Sequence, residues 1–374
     1  MHLEYDVLIA GAGPAGIACG ITLQKIGIKC LIIDKAIFPR KKLCGGLLTS
    51  KAFKKIMELT NEKSDIVDSA TMEVCRKVGI AKNNDILNTS EINVPIRIID
   101  RTILDSNLVE YYKNIGGKII EGEKYKNYDF ENKVVNTDKN EYKVKYFVNA
   151  TGSATKSENK NVGFCLETFI KKDDVPLSDN NTVIIDFGII NKGYLWIFPA
   201  GDYVKIGYGN LYNKKYDYRK NFLNYLQKIK VKNLEKYTIK GAFVPYGKCE
   251  SKHFINDFCI LLGDQAMMTD PLYGEGLYFA YKTGITLATE LKHSFEIGSF
   301  NYERIIDGDK KQVNSGHILK TIFFNKLIQK VFVSIVKRKK KLIKFYVDEQ
   351  VSEYKYKHSD ILGLAFGYKR YKYE

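Results

Sequence analysis

YDVLIAGAGPAG, residues 5–16, is the stretch whose reading decides the fold. Its apolar run at 5–10 has the length of a buried strand, and a helical pattern follows the glycines to about Ile26. A second apolar run, CLIID at 30–34, completes strand, turn, helix and strand, a βαβ unit whose strands pair in parallel. In that setting each glycine has its own task. Gly11 permits the tight turn, Gly13 lets a pyrophosphate approach the backbone, and Gly16 lets the helix pack on the strand. Pro14 and Ala15 open the helix, where unpaired N–H groups favour a diphosphate. Asp34, followed by Lys35, ends the second strand, where an acid commonly accepts hydrogen bonds from an adenosine ribose. Together these predict an adenine dinucleotide; a βαβ unit that merely packs needs no such combination.

The far end of the chain chooses between dinucleotides. GDQAMMTDPLYGEGLYFAYKTG, residues 263–284, follows the apolar run FCILLG and opens a long helix. Gly263 and Asp264 begin this loop, Asp270-Pro271 turns it, and Gly274-Glu275-Gly276 closes it. Asp264 is placed to bind the ribityl hydroxyls of a flavin, with the backbone around Gly274–Gly276 along the pyrimidine edge of its ring. The positive end of the following helix would stabilise the negative charge that a reduced flavin carries there. The expected cofactor is FAD.

Between these poles the chain changes character. FPRKKLCGGLLTS at 38–50 reads as a loop, 70–99 alternates weakly, 100–115 is helical, and KYFVNATG at 145–152 is a strand. From 163 to 210, FCLETFI, TVIIDFGII, GYLWIFPA and YVKIGYGN are strand runs separated by Gly, Asn and Asp, as in an antiparallel sheet. The predicted class is α/β (α+β). A Rossmann-type FAD-binding domain (1–70 with 100–155 and 255–295) is interleaved with an antiparallel-sheet substrate or cap domain (71–99 with 156–254), and a C-terminal helical region covers 296–374.

GAGPAG, the Pro39-Arg40…Cys44-Gly45-Gly46 loop, Asp100-Arg101…Asp105, Ala150-Thr151-Gly152 and GD…DP…GEG occur in that order from residue 5 to about 290. In this arrangement the chain resembles the geranylgeranyl reductase family, within the larger group of flavoproteins built like para-hydroxybenzoate hydroxylase. The resemblance implies that Arg40 and Arg101 contact the FAD and that Ala150-Thr151-Gly152 line it. The loop at Cys44, Gly45 and Gly46 would cover the flavin face. Cys44, preceded by Arg40, Lys41 and Lys42, is the candidate catalytic thiol; a loop that simply covers the flavin is the competing reading. Tyr194, Trp196 and Phe198 alternate along a strand, followed by Pro199. In the resembled reductases this strand lines the cavity before the flavin, and three aromatics on one face suit an apolar, elongated substrate; plain sheet core is the alternative. Met267-Met268 stands where the resemblance implies small residues, which would narrow or reshape the space near the flavin.

The expected function is reduction of C=C bonds in an isoprenoid or other apolar substrate by hydride transfer from reduced flavin. The alternative is a monooxygenase or halogenase of the same fold acting on a small ring substrate. Halogenases carry Trp-x-Trp-x-Ile-Pro at the comparable strand, and Tyr194 and Phe198 depart from that. A flavoprotein that only binds or senses forms a third class. With one GxGxxG there is no separate nicotinamide domain, so NAD(P)H and a ferredoxin-type donor both stay open. The proton donor is open among the flavin itself, a tyrosine, Cys44 and water.

Lys and Arg number 59 against 43 Asp and Glu, a net charge of +16. That balance suits phosphate head groups or an acidic electron-donor protein. No zinc-finger, helix-turn-helix or RNP-like motif accompanies it, so nucleic acid is not expected. Seven scattered cysteines without a Cys-x-x-Cys pair, and a start in strand-like sequence, predict a reducing cytoplasmic compartment and no metal site. A C-terminal helix is expected at 318–336, with Ile318/Leu319, Ile322/Phe323, Leu327/Ile328, Val331/Phe332 and Ile335/Val336 as its apolar stripe and KRKKK following at 337–341. Such a helix either docks on its own core or rests peripherally on the inner face of an anionic membrane.

Overall fold

The computed structural model describes residues 4–153, 162–176, 181–187, 193–245, 248–249, 258–272, 274–323, 326–338, 344, 347–349 and 351–352. The chain opens with β1 (Val7–Ala10), α1 (Pro14–Lys25) and β2 (Cys30–Asp34), then β3 (Leu47–Leu48), α2 (Ser50–Thr60) and α3 (Asp65–Asp68). A long hairpin, β4 (Thr71–Lys82) and β5 (Asp85–Ile99), precedes α4 (Arg101–Asn114) and β6 (Lys118–Glu121). Next come β7 (Tyr125–Asp129), β8 (Val134–Thr137), β9 (Glu141–Lys143) and β10 (Tyr146–Asn149). The second half holds β11 (Val162–Lys171), β12 (Thr182–Phe187), β13 (Gly193–Ala200), β14 (Tyr203–Leu211), α5 (Tyr218–Lys228), β15 (Lys240–Pro245) and β16 (Cys259–Leu261). Helices α6 (Leu277–Ile297), α7 (Tyr302–Ile305), α8 (Asp307–Phe323) and α9 (Lys326–Arg338) follow.

Five parallel strands form one sheet in the order β16-β10-β1-β2-β6. Strands β1, β2 and β10 are buried throughout, as a parallel sheet covered on both faces requires. Val7, Ile9 and Ile32 face a core shared with α1, α4 and α6. Leu8, Leu31 and Phe147 face the other way, onto Val135 of β8 and Val144 just after β9, beside the small sheet β7-β8-β9. That small sheet falls between the helix at 100–115 and the strand at 145–152, where the sequence predicts no element. Its sequence, KYKNYDFENKVVNT, is too polar for periodicity to reveal it.

The second sheet has eight strands, ordered β15-β11-β14-β13-β12-β4-β5-β3. Its pairings are antiparallel as expected, except that β12 runs parallel to β4. The weak alternation at 70–99 has a physical cause. Register shifts fall at Thr71/Glu73, Cys75/Lys77 and Ile80/Ala81, and across the second of them the residues that β4 gives to one core change parity, from Cys75 to Val78. Residues 47–48, expected as loop, pair with β5 and so carry the end of the cysteine loop into this sheet. The fold class is thus the expected one, a parallel Rossmann-type sheet joined to a largely antiparallel one.

Across the expected helix at 318–336, α8 runs to Phe323 from a start eleven residues earlier than foreseen, and α9 runs from Lys326. Val336 packs on Ile80 of β4, whereas Ile318, Ile328 and Val331 are exposed. The side chains of Leu319, Ile322, Phe323, Leu327 and Phe332, and residues 339–341 of the basic run, lie outside the described residues. Among the described residues no helix is long and apolar enough to cross a membrane.

The tip of the β4–β5 hairpin is fastened to β12 by one carboxylate. Asp186 accepts the N–H groups of Asn83 and Asn84 at 2.9 and 2.8 Å. Burial nevertheless dominates and pushes its pKa from 3.8 up to about 6, against the lowering effect of those bonds. A carboxyl raised in the fold contributes stability that is fully present below its unfolded pKa and is lost as pH rises through 6. Denaturation of Asp186→Asn at pH 4 and pH 7 is therefore expected to show a shallower fall in stability with pH than the parent protein. An identical slope would remove Asp186 from the account.

Candidate cofactor and substrate site

The glycine turn is built by close approach. Gly11 has φ +105°, and a Cβ there would lie 2.4 Å from the Ala150 carbonyl oxygen. A Cβ on Gly16 would lie 1.9 Å from the Gly11 oxygen, so the first turn of α1 rests directly on the loop. No side chain caps α1, which begins at Pro14 and Ala15. Its N-terminal groups face a loop over which Arg40 reaches, Nη2 being the neighbour of Gly13. Asp34 Oδ2 accepts the Ala12 N–H and Oδ1 the Ala36 N–H, both at 2.8 Å. A carboxylate has about four acceptor positions, so room for a ribose hydroxyl remains. Lys35 is exposed beside it.

Two arginines converge on one acid. Arg101 Nε and Nη2 donate to Asp105 Oδ1 and Oδ2 at 2.7 and 2.9 Å, and Arg40 Nη2 lies 3.3 Å from Oδ2. The bidentate grip fixes Arg101 inside the protein, and Arg40 is held at the glycine loop. On the other side of the loop, Gln265 Nε2 donates to Thr151 Oγ1 at 2.8 Å and to the Gly152 carbonyl. The Ala150-Thr151-Gly152 segment and the Gly263–Asp264 loop are thereby joined.

The second glycine loop is held from within. Asp270 is fully buried, and its Oδ1 accepts the Leu272 N–H at 2.8 Å, while Gly274 N–H reaches the Asp270 carbonyl and Asp270 N–H the Glu275 carbonyl. Pro271 packs against Gly316 of α8. The carboxylates of Asp270 and Glu275, both expected to bind cofactor, are thus engaged by the protein itself, Glu275 by Thr49 and Lys51. The backbone of 274–276 and the half-buried Asp264, which accepts from Thr269 Oγ1 at 3.1 Å, are left to face a ligand. Gly263 touches Ala15, and Gly284 lies against the Ala15 carbonyl, so α6 crosses α1 at the mouth of the dinucleotide loop. An uncapped helix start, a guanidinium at the glycine turn and a second helix opening toward it fit FAD.

The aromatic strand meets both loops. Gly274 has φ +68°, and a Cβ there would fall 2.7 Å from the Tyr194 hydroxyl. A Cβ on Gly45 would fall 3.0 Å from Phe198 and 3.3 Å from the Trp196 indole nitrogen. Trp196 and Phe198 are stacked 6.3 Å apart, with Tyr194 6.1 Å from Trp196. Pro199 does not join them. It pairs with Val204, whose side chain belongs to the core on the opposite face of the sheet.

Two buried charges lie on the aromatic face, unforeseen from sequence. Across the sheet Glu167, Gly207 and Trp196 are in register, as are Phe169, Lys205 and Phe198. The Trp196 indole N–H donates to Glu167 Oε2 at 3.3 Å, and Lys205 Nζ donates to the Ile99 carbonyl at 2.8 Å, directly beneath Gly46. Each is 2% exposed. Burial raises the Glu167 pKa and lowers that of Lys205, while the charge of each partner opposes both shifts. The segment alone gives no such signal: in YVKIGYGN the apolar parity is Val204, Ile206 and Tyr208, and Lys205 takes the other, so only the register with Phe198 places it on the aromatic face.

Cys44 is half-buried, accepts the Gly46 N–H at 3.4 Å, and interacts electrostatically with Arg101 and Lys205. On the aromatic face of the sheet, burial first of all pushes the Cys165 thiol up to about 12. Met268, expected to crowd the flavin, turns into a core with Cys249, Phe279 and Val313. Met267 adopts φ +55° at the end of the Gly263–Ala266 turn, which rotates its successor inward.

The family model for FAD dependent oxidoreductase matches residues 6–160. An uncharacterized protein of Methanosarcina barkeri is 31% identical over 321 residues, covering 81% of this chain and 78% of its own. The digeranylgeranylglycerophospholipid reductase of Methanococcus vannielii is 29% identical over 318 residues, 80% of this chain and 79% of that one. A solved structure of a geranylgeranyl bacteriochlorophyll reductase-like protein from Thermoplasma acidophilum shares the fold. Its TM-score is 0.76 over 98% of this chain and 96% of the other, at 18% identity.

Proposed function

Because the chain belongs to the FAD-dependent oxidoreductases related to the geranylgeranyl reductases, we propose that it hydrogenates C=C bonds of an apolar, isoprenoid-type substrate. The observation that carries this reading is the aromatic strand's contact with both glycine loops, Tyr194 at Gly274 and Trp196 with Phe198 at Gly45. An apolar chain laid along that face would be held against the flavin loops with water excluded. Bound FAD, once reduced, supplies the hydride that goes to one alkene carbon. This chain's residues orient the other carbon and provide its proton, for which Cys44 is the candidate donor on the Gly45 side. Arg40, at the glycine loop, and the start of α1 hold the diphosphate, and Asp264 the ribityl chain.

An anaerobic assay tests the proposal. The holoenzyme, reduced with dithionite, is mixed with geranylgeranyl diphosphate and, separately, with a geranylgeranylated glycerophospholipid, and products are weighed. A gain of two hydrogens per double bond, with reoxidation of the flavin, is expected for at least one of them. Unchanged masses in both, with rapid flavin reoxidation only when oxygen is admitted, would move the protein to the oxygenases and make the aromatic face a site for a smaller ring.

A further inference from the structure

A buried ion pair joins the start of α2 to the turn that precedes α6. Lys51 Nζ lies 2.7 Å from Glu275 Oε2, and the Thr49 hydroxyl donates to Glu275 Oε1 at 2.6 Å. Lys51 is 2% exposed, a burial that lysine almost never shows unless paired. Its ammonium also lies 5.3 Å over the Tyr278 ring and interacts electrostatically with Asp270. Burial lowers its pKa, and the Glu275 carboxylate opposes that, so the two charges hold each other in place.

Apolar residues of similar volume often replace such a pair without loss of stability, so packing alone does not call for it. Its position is informative. Helix α2 continues the Cys44–Gly46 loop through β3, and Glu275 sits between Gly274, which touches Tyr194, and Gly276, which caps α6. The pair therefore ties together the loop, the turn and the helix end that surround the proposed ring site. We propose that Lys51 and Glu275 are a positioning pair that clamps the 274–276 turn to the cysteine loop and keeps the charge beside the flavin ring balanced. This rests on the placement of the ring at that turn. With one partner removed, the other charge is left buried there, and a reduced flavin carrying negative charge responds to its sign.

The test is the two-electron reduction potential of bound FAD, measured by dye equilibration at pH 6, where a buried lysine keeps its proton more readily than at higher pH. Glu275→Gln keeps the shape of the contact and leaves the ammonium; it is expected to favour reduced flavin by about tenfold, roughly 30 mV for a two-electron couple. Lys51→Met leaves the carboxylate and is expected to shift the ratio the opposite way. Lys51→Arg and the double variant should return close to the parent value. Shifts of the same sign in both single variants, or none with FAD fully retained, would overturn the proposal. Should Lys51→Met fail to fold, the sign and size of the Glu275→Gln shift decide alone. Asp264→Asn runs in the same series. If it weakens FAD retention while the potentials stay fixed, the pair alone is overturned; if it also has no effect, the ring placement falls and the pair with it.

Discussion

Purified Gly16→Ala protein is expected to carry almost no flavin. Its Cβ would fall 1.9 Å from the Gly11 carbonyl oxygen and 3.2 Å from Ala150 Cβ. The obstacle is backbone, and that backbone is pinned. Gly11 N–H donates to Ile33 at 2.7 Å, and its own Cβ position is blocked by the Ala150 carbonyl. Relief requires the start of α1 to move off the turn, which dismantles the N–H array a diphosphate would use. An overpacking cost of about 3 kcal/mol, borne mainly by the cofactor-binding geometry, corresponds to roughly 100-fold weaker binding. Gly20→Ala in the same helix is the control. Its Cβ would lie 2.5 Å from Ile32 Cδ1, 3.2 Å from Ile32 Cγ1 and 3.4 Å from Tyr112 Cε2, side-chain atoms and not backbone, and alanine favours a helix over glycine by about 1 kcal/mol. Visible absorbance per protein and an FAD titration of apoprotein give the comparison. Stoichiometric flavin of unchanged affinity in Gly16→Ala would show that the diphosphate does not sit at this turn.

Lys205→Met should cost about 3 kcal/mol of stability at pH 8 and far less at pH 5. The methionine fills much the same space but removes the buried cation whose charge counteracts the desolvation of Glu167, and a buried charge left uncompensated costs about 3 kcal/mol. The sign of the pH dependence follows from Glu167. Burial already raises its pKa, and without Lys205 it rises further. A raised carboxyl is protonated in the fold at low pH at no cost, and the penalty grows as pH rises above the unfolded value of about 4.3. Urea denaturation at the two pH values measures this, and Glu167→Gln combined with Lys205→Met should recover most of the loss. Equal loss at both pH values would mean that Lys205 acts through packing and its bond to Ile99, not through Glu167.

Much of this was legible in the sequence because it was local. The βαβ unit, the Asp34 terminus and the Gly274–Gly276 turn are each marked by a few neighbouring residues, and Gly16 is required by a contact within its own turn, 1.9 Å from the Gly11 carbonyl oxygen. What escaped reading was set across the sheet. Glu167 and Lys205 meet the aromatic face only because β11, β14 and β13 lie side by side in one register, which no single segment encodes. Glu275 was assigned to the cofactor from its motif, whereas its carboxylate belongs to Lys51, 224 positions earlier in the chain. Pro199 was grouped with its aromatic neighbours by motif, although period-two alternation alone puts it on the other face. Met268 was misplaced because the positive φ of Met267 reverses the direction of the chain.

The parallel sheet also dictates when the cofactor can arrive. Strand β1 stands beside β10 and β10 beside β16, and the glycine turn is closed from above by Gly284 against Ala15. During synthesis, then, the diphosphate loop emerges among the first residues yet stays without its lid until nearly three hundred have been joined. By residue 149 the nascent chain has β1, β2, β6 and β10 of this sheet, but β16 and the covering α6 are still to come. A truncation before α6 is expected to leave a product that does not retain FAD, which flavin absorbance of the purified protein checks.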